Sequence, residues 1–284
     1  MRTGLLLGGG GAVGIAWENG VLAGLADGCG FDPTLSTVIV GTSAGSAVGA
    51  DMALGKDPHN ALDRDDLSSN PRRDLAPPDF ETGAFAEIIG LMMSPEAGTP
   101  EVVERIGRLA VEAETTMGEE QFVEMFRRTV GTDEWPNVDF RATAACCSTG
   151  EPVVWSSADG IPLSRAVASS CAIPGYFPAV GIAGDHYIDG NRGTNYHAAI
   201  VAELELDAAL FIGPKIPVPG VERMTREDME AIAERGVRCH TILGSERLDA
   251  AGLNLMDFSS RALGFEIGVA DGAANAAVVA EMFS

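Results

Sequence analysis

The sequence predicts an α/β fold with a mostly parallel central sheet flanked by helices. Two short apolar runs near the start, Thr3–Leu7 and Leu35–Val40, each lead into a glycine-containing turn and then a helical stretch. Strands that alternate with helices in this way are typical of parallel sheets. A length of 284 residues fits one large domain. We therefore expect a single domain over 1–284, with a helical insertion or partial lid at about 56–135.

The later elements follow from apolar periodicity and turn residues. The insertion shows two amphipathic helical patterns and no clear strand, and an alanine-rich helix closes the chain. The predicted elements are helices near 84–93 and 100–130 with a break near 115–118, a hairpin of 138–146 and 152–155, a helix near 161–169, a strand ending at Asp189, a helix at 195–204, strands at 208–213 and 238–243, and a helix from Ser259.

The charge balance excludes several kinds of partner. Nineteen basic and forty-one acidic residues give a net charge of −22. Such a surface repels nucleic acid and anionic membranes, so we expect no nucleic-acid partner and at most transient contact with a membrane surface. No apolar run reaches the 18 residues of a membrane span, and no cleavage site follows the first apolar run. We therefore expect a cytoplasmic protein, whose oligomeric state the sequence leaves open.

The cysteines indicate neither disulfides nor a metal site. There are five, an odd number, and none has C-x-x-C spacing. We expect buried free thiols, no metal and no organic cofactor.

A serine between two glycines follows the second apolar run. The segment reads Gly41-Thr42-Ser43-Ala44-Gly45. A G-x-S-x-G turn between a strand and a helix holds its serine in a sharp, strained conformation with the hydroxyl available for attack. The alternative is a surface turn that carries this pattern by chance. Ser43 is the candidate nucleophile.

A glycine-rich stretch at 8–14 follows the first apolar run and precedes a helical pattern. Glycines at a helix N-terminus let backbone N–H groups point into open space, which suits an anion. A dinucleotide fold, with Gly9-x-Gly11-x-x-Gly14, also needs an acidic residue after its second strand, and here that strand ends in the serine turn. A P-loop needs a lysine that is absent. The third interpretation is an oxyanion hole formed by Gly10 and Gly11, with Gly9 beside them.

The base that activates Ser43 has two candidates. An α/β-hydrolase needs a serine, an acid and then a histidine in chain order, which His240 satisfies, but that fold usually has several strands before its serine turn. The second candidate is Asp189, which ends a predicted strand and precedes Gly190. Asp-Gly is also a common turn. From these residues alone both candidates stay open.

Four blocks resemble, in order and spacing, those of patatin-like phospholipases. They are Gly9–Gly14, the serine turn at 41–45, the segment ASSCAIPGYFP at 168–178, and Asp189-Gly190. The resemblance runs from about residue 3 to 215. It implies a three-layer patatin-like sandwich and a Ser43–Asp189 dyad without histidine. It further implies an oxyanion hole of Gly9, Gly10 and Gly11, supporting roles for Gly14, Gly41, Gly45 and Gly190, and a supporting role for 168–178.

Two positions depart from the family pattern. Val13 stands where Arg or Lys is common, which weakens any inference to a substrate with a charged phosphate. Asn191 stands where Gly or Ala is more usual. We expect a serine acyl hydrolase that cleaves carboxylic esters of lipids, of the phospholipase A, lysophospholipase or esterase type. The alternatives are an α/β-hydrolase-type esterase with Ser43 and His240, and a nucleotide- or lipid-binding module with an inert dyad.

Overall fold

The computed structural model of the protein describes residues 1–64, 83–94, 96–191, 196–215 and 219–283. Residues 65–82, in the predicted insertion, lie outside this part of the chain.

A single mixed sheet forms the centre of the described chain. Its strands are β1 (Thr3–Leu7), β2 (Val38–Thr42), β3 (Phe140–Cys146), β4 (Pro152–Trp155), β5 (Val180–Ile182), β6 (Asp185–Asp189), β7 (Ala208–Gly213) and β8 (Arg238–Leu243). They lie in the order β5-β6-β3-β2-β1-β7-β8, and β4 pairs with β3 outside this path. Strands β3, β2, β1, β7 and β8 are parallel, whereas β4, β5 and β6 are joined by antiparallel pairings. The mostly parallel sheet is confirmed.

Helices cover both faces of the sheet. They are α1 (Gly11–Cys29), α2 (Ala44–Ala53), α3 (Ala61–Arg64), α4 (Gly83–Met92), α5 (Pro100–Glu112), α6 (Glu119–Val130), α7 (Leu163–Ser170), α8 (Tyr196–Leu204), α9 (Pro219–Glu234), α10 (Glu246–Ala250) and α11 (Arg261–Met282). Leu5 and Leu7 pack on one face with α1, α2, α6, α7 and α11, while Leu6 packs on the other with α8 and α9. Because neighbouring side chains of a strand face opposite ways, the buried strand β1 contributes to both apolar layers, as a three-layer sandwich requires.

The insertion contributes to the core beside β3 and β6. Helices α4, α5 and α6 match the predicted helical stretches and the break between them. Ile88, Val103 and Ile106 pack against Ala145 and Ile188 in a separate apolar cluster. The insertion thus packs against the sheet at β3 and β6. Its role as a lid and the division of the chain into one domain stay predictions.

Helices α1 and α11 pack unusually closely through glycines spaced four residues apart. A side chain at Gly20 or Gly24 of α1 would overlap the backbone of α11, and one at Gly268 or Gly272 would overlap the backbone of α1. At the same contact, Trp17 Nε1 donates a hydrogen bond of 2.8 Å to Asp271 Oδ2. The last helix of the chain is therefore fixed directly on the helix that follows the glycine loop.

One stretch of the described chain, Phe258–Met282, is long and apolar enough to cross a bilayer by length and composition, and 39% of its apolar window is buried inside the protein. Glu266 and Asp271 interrupt its apolar residues, so the sequence shows no uninterrupted apolar run there.

Candidate active site

Ser43 occupies a strained turn between β2 and α2. Its backbone has φ 55 and ψ −121, a region that a residue with a side chain adopts only at a cost. The turn is so tight that a side chain at Gly41 would overlap the backbone of Gly45, and one at Gly45 would overlap that of Leu7. Ser43 is 6% exposed. The strained turn that the sequence predicts is present, and the role of Ser43 as nucleophile stays a prediction.

Both backbone polar groups of Ser43 are held by side chains. Its N–H donates to Ser170 Oγ at 2.9 Å. Its carbonyl accepts from the Ser46 hydroxyl at 2.7 Å and from the Cys171 thiol at 3.0 Å. Ser170 and Cys171 belong to the segment 168–178, and these bonds give that segment a physical role. Both contacts span more than 120 positions of the chain, so no local sequence pattern indicates the roles of Ser170 and Cys171.

Asp189 ends β6 and is 1% exposed. Its N–H donates to Ala172 O at 3.0 Å. Its carboxylate Oδ1 accepts the N–H of Asn191 at 2.9 Å. The side chain is therefore oriented by the turn that follows it. That turn contains Asn191, the residue that departs from the family pattern.

The sheet register places Ser43 and Asp189 on either side of the middle of β3. Thr42 pairs with Thr143 of β3, and the next residue of β3, Ala144, pairs with Asp189. The Thr42 and Thr143 hydroxyls lie 2.7 Å apart. A side chain at Gly190 would lie 2.8 Å from Thr143 O, so the chain passes β3 closely there. Ser43 and Asp189 thus lie at the same level of the sheet on either side of β3, and their backbones are two strand spacings, or roughly 10 Å, apart.

The glycine loop is tied to the serine turn. Gly8 donates its N–H to Ile212 O at 2.9 Å and accepts the N–H of Gly45 at 2.8 Å. Gly11, with φ +60, begins α1. Among the described residues, the N–H groups of Gly10 and Gly11 have no hydrogen-bond acceptor. Two backbone donors beside the serine turn are thus available to an anion.

Three separate segments of the chain pack against the glycine loop. A side chain at Gly9 would overlap Asn191. One at Gly10 would meet Pro214 Cγ at 2.5 Å, and one at Gly11 would meet Leu255 O at 2.7 Å. A loop confined on three sides keeps its N–H groups in one orientation, which is the condition for preorganised stabilisation of charge.

Gly14 completes the contact between the loop and the serine turn. Its N–H donates to Gly10 O at 2.8 Å. A Cβ added to it would lie 3.6 Å from the Cβ of Ala44 and 3.5 Å from Pro214. A larger residue there would push α1 away from α2, which accounts for the small residue.

Val13 faces away from the loop. Val13 is fully buried. A Cβ added to Gly264 of α11 would lie 3.0 Å from Val13 Cγ1. The N–H of Val13 donates to Leu255 O at 3.0 Å. The position where the family commonly has a cation is therefore an apolar helix contact in this protein.

None of the histidines with a described side chain lies beside Ser43. His240 pairs with Leu210 in the middle of β8, and its Nε2 lies 2.9 Å from Asn275 Oδ1. β8 is three strands from β2, or roughly 14 Å at about 4.8 Å a strand. His186 and His59 are exposed, and the side chain of His197 lies outside the described residues. This placement of His240 disfavours a triad with Ser43.

Glu18 of α1 is a buried carboxyl next to the glycine loop. It is fully buried, and neither carboxyl oxygen has a hydrogen-bond partner among the described residues. Burial raises the pKa of Glu18 well above its usual value, and the nearby N–H of Gly8 offsets this only in part. Glu18 is therefore protonated well above the pH at which a free glutamate ionises.

We expect Glu18→Gln to flatten the pH dependence of stability. In the wild type, the folded state keeps a proton that the unfolded chain releases above about pH 4.3, so the free energy of unfolding falls by up to about 1.4 kcal/mol per pH unit until the folded-state pKa is reached. Glutamine removes this loss while keeping the shape. Urea unfolding at pH 4.5, 6 and 8 measures both slopes, and Glu266→Gln, an exposed change, controls for the lost charge. If the free energy of unfolding falls with pH equally in the wild type and in Glu18→Gln, the raised pKa of Glu18 is contradicted.

The cysteines are free, and Cys146, Cys147 and Cys171 are buried, while Cys29 and Cys239 are half-buried. Burial raises the pKa of Cys147 to about 12, so that thiol is a poor nucleophile. In the described part of the chain, no group of three His, Cys, Asp or Glu residues is placed to hold a metal.

Comparison with known proteins agrees with the fold. The family model described as patatin-like phospholipase matches residues 5–200. Among solved structures, VipD from Legionella pneumophila has a TM-score of 0.50 and 13% identity over 98% of this chain and 67% of its own. The type III effector ExoU, from Pseudomonas aeruginosa, has a TM-score of 0.45 and 17% identity, and this chain covers 53% of its length.

ExoU has also been solved as a heterodimer with SpcU. At 13% identity, the likeness to VipD shows the fold alone, and no curated protein sequence matches the chain. The family match covers most of the chain, including the glycine loop, the serine turn and Asp189. The chain therefore belongs to the patatin-like phospholipase family and is a lipid acyl hydrolase.

Proposed function

We propose that the chain cleaves carboxylic esters of lipids with Ser43 as nucleophile, Asp189 as base and the N–H groups of Gly10 and Gly11 as oxyanion donors, with Gly9 in the same loop. The observation that carries this proposal is the sheet register. A serine in a strained turn and a buried aspartate lie on either side of the middle of β3, and open backbone donors lie beside the serine.

The reaction runs in two halves. Ser43 Oγ attacks the carbonyl carbon, its proton passes to Asp189, and the carbonyl oxygen takes up negative charge beside Gly10 and Gly11. The C–O bond to the alcohol then breaks, and Asp189 returns the proton to the leaving oxygen. Water attacks the acyl-serine with Asp189 as base, releasing the carboxylic acid and restoring Ser43.

An aspartate is a weak base, with an ordinary pKa near 3.9, so transferring the serine proton to it is unfavourable. The oxyanion donors must therefore supply more of the stabilisation than in a histidine-based enzyme. Each such donor is typically worth 10²–10³ in rate. The confinement of the loop by Asn191, Pro214 and Leu255 supports this role, because rigid donors need no reorganisation as charge develops.

The region around Val13 favours a substrate without a phosphate at the loop. Val13 is buried against α11 and supplies no cation, and the net charge of −22 disfavours anionic lipid surfaces. We infer neutral or zwitterionic acyl esters as the substrate class. The cytoplasmic location stays a prediction from the sequence.

Labelling with a fluorophosphonate tests the proposal. The reagent phosphonylates activated serines, and mass spectrometry of the digested protein identifies the modified residue. We expect a single label on Ser43. A label on another serine contradicts the proposal, and stoichiometric nucleotide binding without any label favours the binding-module alternative.

We expect Gly11→Ala to lower kcat by roughly 10²-fold or more. A methyl group there would approach Leu255 O, and φ +60 disfavours alanine, so the N–H shifts from its position. Gly10→Ala should act similarly, because its Cβ would lie 2.7 Å from Gly14 Cα. The measurement is kcat on a nitrophenyl ester, with circular dichroism to check folding.

Gly30→Ala is the matched control for Gly11→Ala. Gly30 ends the same helix with φ +70, but nothing lies within 4 Å of an added Cβ. The Gly30→Ala variant therefore carries a similar backbone strain at a position away from the glycine loop. Its kcat should equal that of the wild type. Near-full turnover in folded Gly11→Ala would show that this N–H is not an oxyanion donor.

A further inference from the structure

We propose that Met256, with Leu253 and Leu255 on either side of Asn254, forms the wall against which the acyl chain of the substrate lies. This inference rests on the proposed function. It concerns a segment outside residues 5–200, the range that the family model matches. That segment lies between α10 and α11 and packs on the first residue of α1.

The contact with the glycine loop is direct. A Cβ built on Gly11 would lie 2.9 Å from Met256 Sδ and 2.7 Å from Leu255 O. The N–H of Val13, two residues after Gly11 in the same helix, donates to that carbonyl at 3.0 Å. Met256 therefore lies beside one of the two proposed oxyanion donors.

The position of Asp189 decides which half of the ester faces Met256. The leaving oxygen must receive its proton from Asp189, so the alcohol half lies on that side of the carbonyl carbon. Asn191, which follows Asp189, covers the loop at Gly9. Met256 covers the opposite end of the loop, at Gly11. The acyl chain, projecting away from the leaving group, therefore runs toward Met256.

The chemistry of the wall suits a hydrocarbon chain. Leu253, Leu255 and Met256 are half-buried and pack against the main apolar core with part of their surface open. A thioether side chain is flexible and polarizable, so it adapts to apolar ligands of different shape. The wall is also held in place, since the N–H of Met256 donates to Asn254 Oδ1 at 3.0 Å and that of Asp257 to Asn254 O at 2.8 Å.

Two series of esters on the full chain test the inference. The first keeps the nitrophenyl leaving group and lengthens the acyl chain from acetate to octanoate. The second keeps the acetyl group and varies the alcohol. Met256→Ala should lower kcat/KM for octanoate relative to acetate by roughly 4- to 15-fold, as expected when one or two methylenes lose an apolar contact. The change should appear mainly in KM, and the alcohol series should keep its wild-type pattern.

Two further variants separate chain recognition from structural damage. Met256→Leu keeps an apolar side chain of similar volume and should retain the wild-type ratio of octanoate to acetate. Met256→Gln keeps the length but is polar, and it should lower the ratio as alanine does. Val278→Ala removes an exposed apolar side chain at the far end of α11 and should leave both series unchanged.

The outcomes distinguish this inference from the proposed function. If the wild type hydrolyses no ester, or Ser43→Ala is as active as the wild type, the proposed function fails. If the wild type is active but folded Met256→Ala and Met256→Gln keep the wild-type octanoate-to-acetate ratio, the acyl wall is wrong. An equal loss on both esters, or a change confined to the alcohol series, likewise overturns it.

Discussion

Ser43→Ala should abolish fluorophosphonate labelling and lower ester hydrolysis by a factor on the order of 10⁶, because the only atom proposed to attack the carbonyl is removed. The variant should fold, since Ser43 is held through its backbone N–H and carbonyl, which alanine keeps. Alanine also tolerates φ 55 no worse than serine does. The measurements are hydrolysis of a short-chain nitrophenyl ester and mass-spectrometric detection of the label.

A surface serine gives the control for Ser43→Ala. Ser157 is exposed and lies in the turn after β4, so Ser157→Ala should keep full labelling and full turnover. Hydrolysis that persists in Ser43→Ala at the wild-type rate would show that the turn is not the nucleophile.

Asp189→Asn has the second-largest expected effect, a loss of roughly 10⁴-fold or more in kcat. Asparagine keeps the shape, and its carbonyl oxygen still accepts the N–H of Asn191, so the strand end should fold normally. What disappears is the ability to take the Ser43 proton. The measurement is kcat, with the thermal midpoint as a check on folding.

Two matched variants distinguish the dyad from its alternatives. Asp185→Asn changes a partly exposed aspartate at the start of the same strand and should keep most of the activity. His240→Ala should also keep most of it, since His240 is hydrogen-bonded to Asn275 of α11 and lies three strands from β2. An active Asp189→Asn together with a dead but folded His240→Ala would restore the triad hypothesis.

Much of the candidate site could be predicted because its parts are local. The serine turn follows from glycines two residues either side of Ser43, and the glycine loop from its place between a short strand and a helix. The conformations of both segments depend on residues that are adjacent in the chain, so a sequence pattern reveals them. The strand at 208–213 was found for the same reason, since it is a compact apolar run.

What could not be predicted depends on contacts between distant segments. Nothing near Gly11 in the chain indicates that Leu255 and Met256 pack on it, or that Val13 is covered by Gly264. Strand β5 has only three residues, too few for a periodic pattern, and gains its pairing from β6. Helix α9 was missed because it is mostly polar, with few apolar side chains such as Ile232 packed on the sheet.

The close packing of α1 on α11 has a consequence for biosynthesis. Trp17 and Asp271 are 254 positions apart, and joining such distant segments costs loop-closure entropy. During translation, α1 leaves the ribosome long before its partner helix exists, so its glycine face has nothing to pack on. Helix α1 cannot reach its final packing until α11 has been synthesised. A chain that stops before α11 leaves this face of α1 exposed, and we expect it to aggregate more readily than the chain that includes α11.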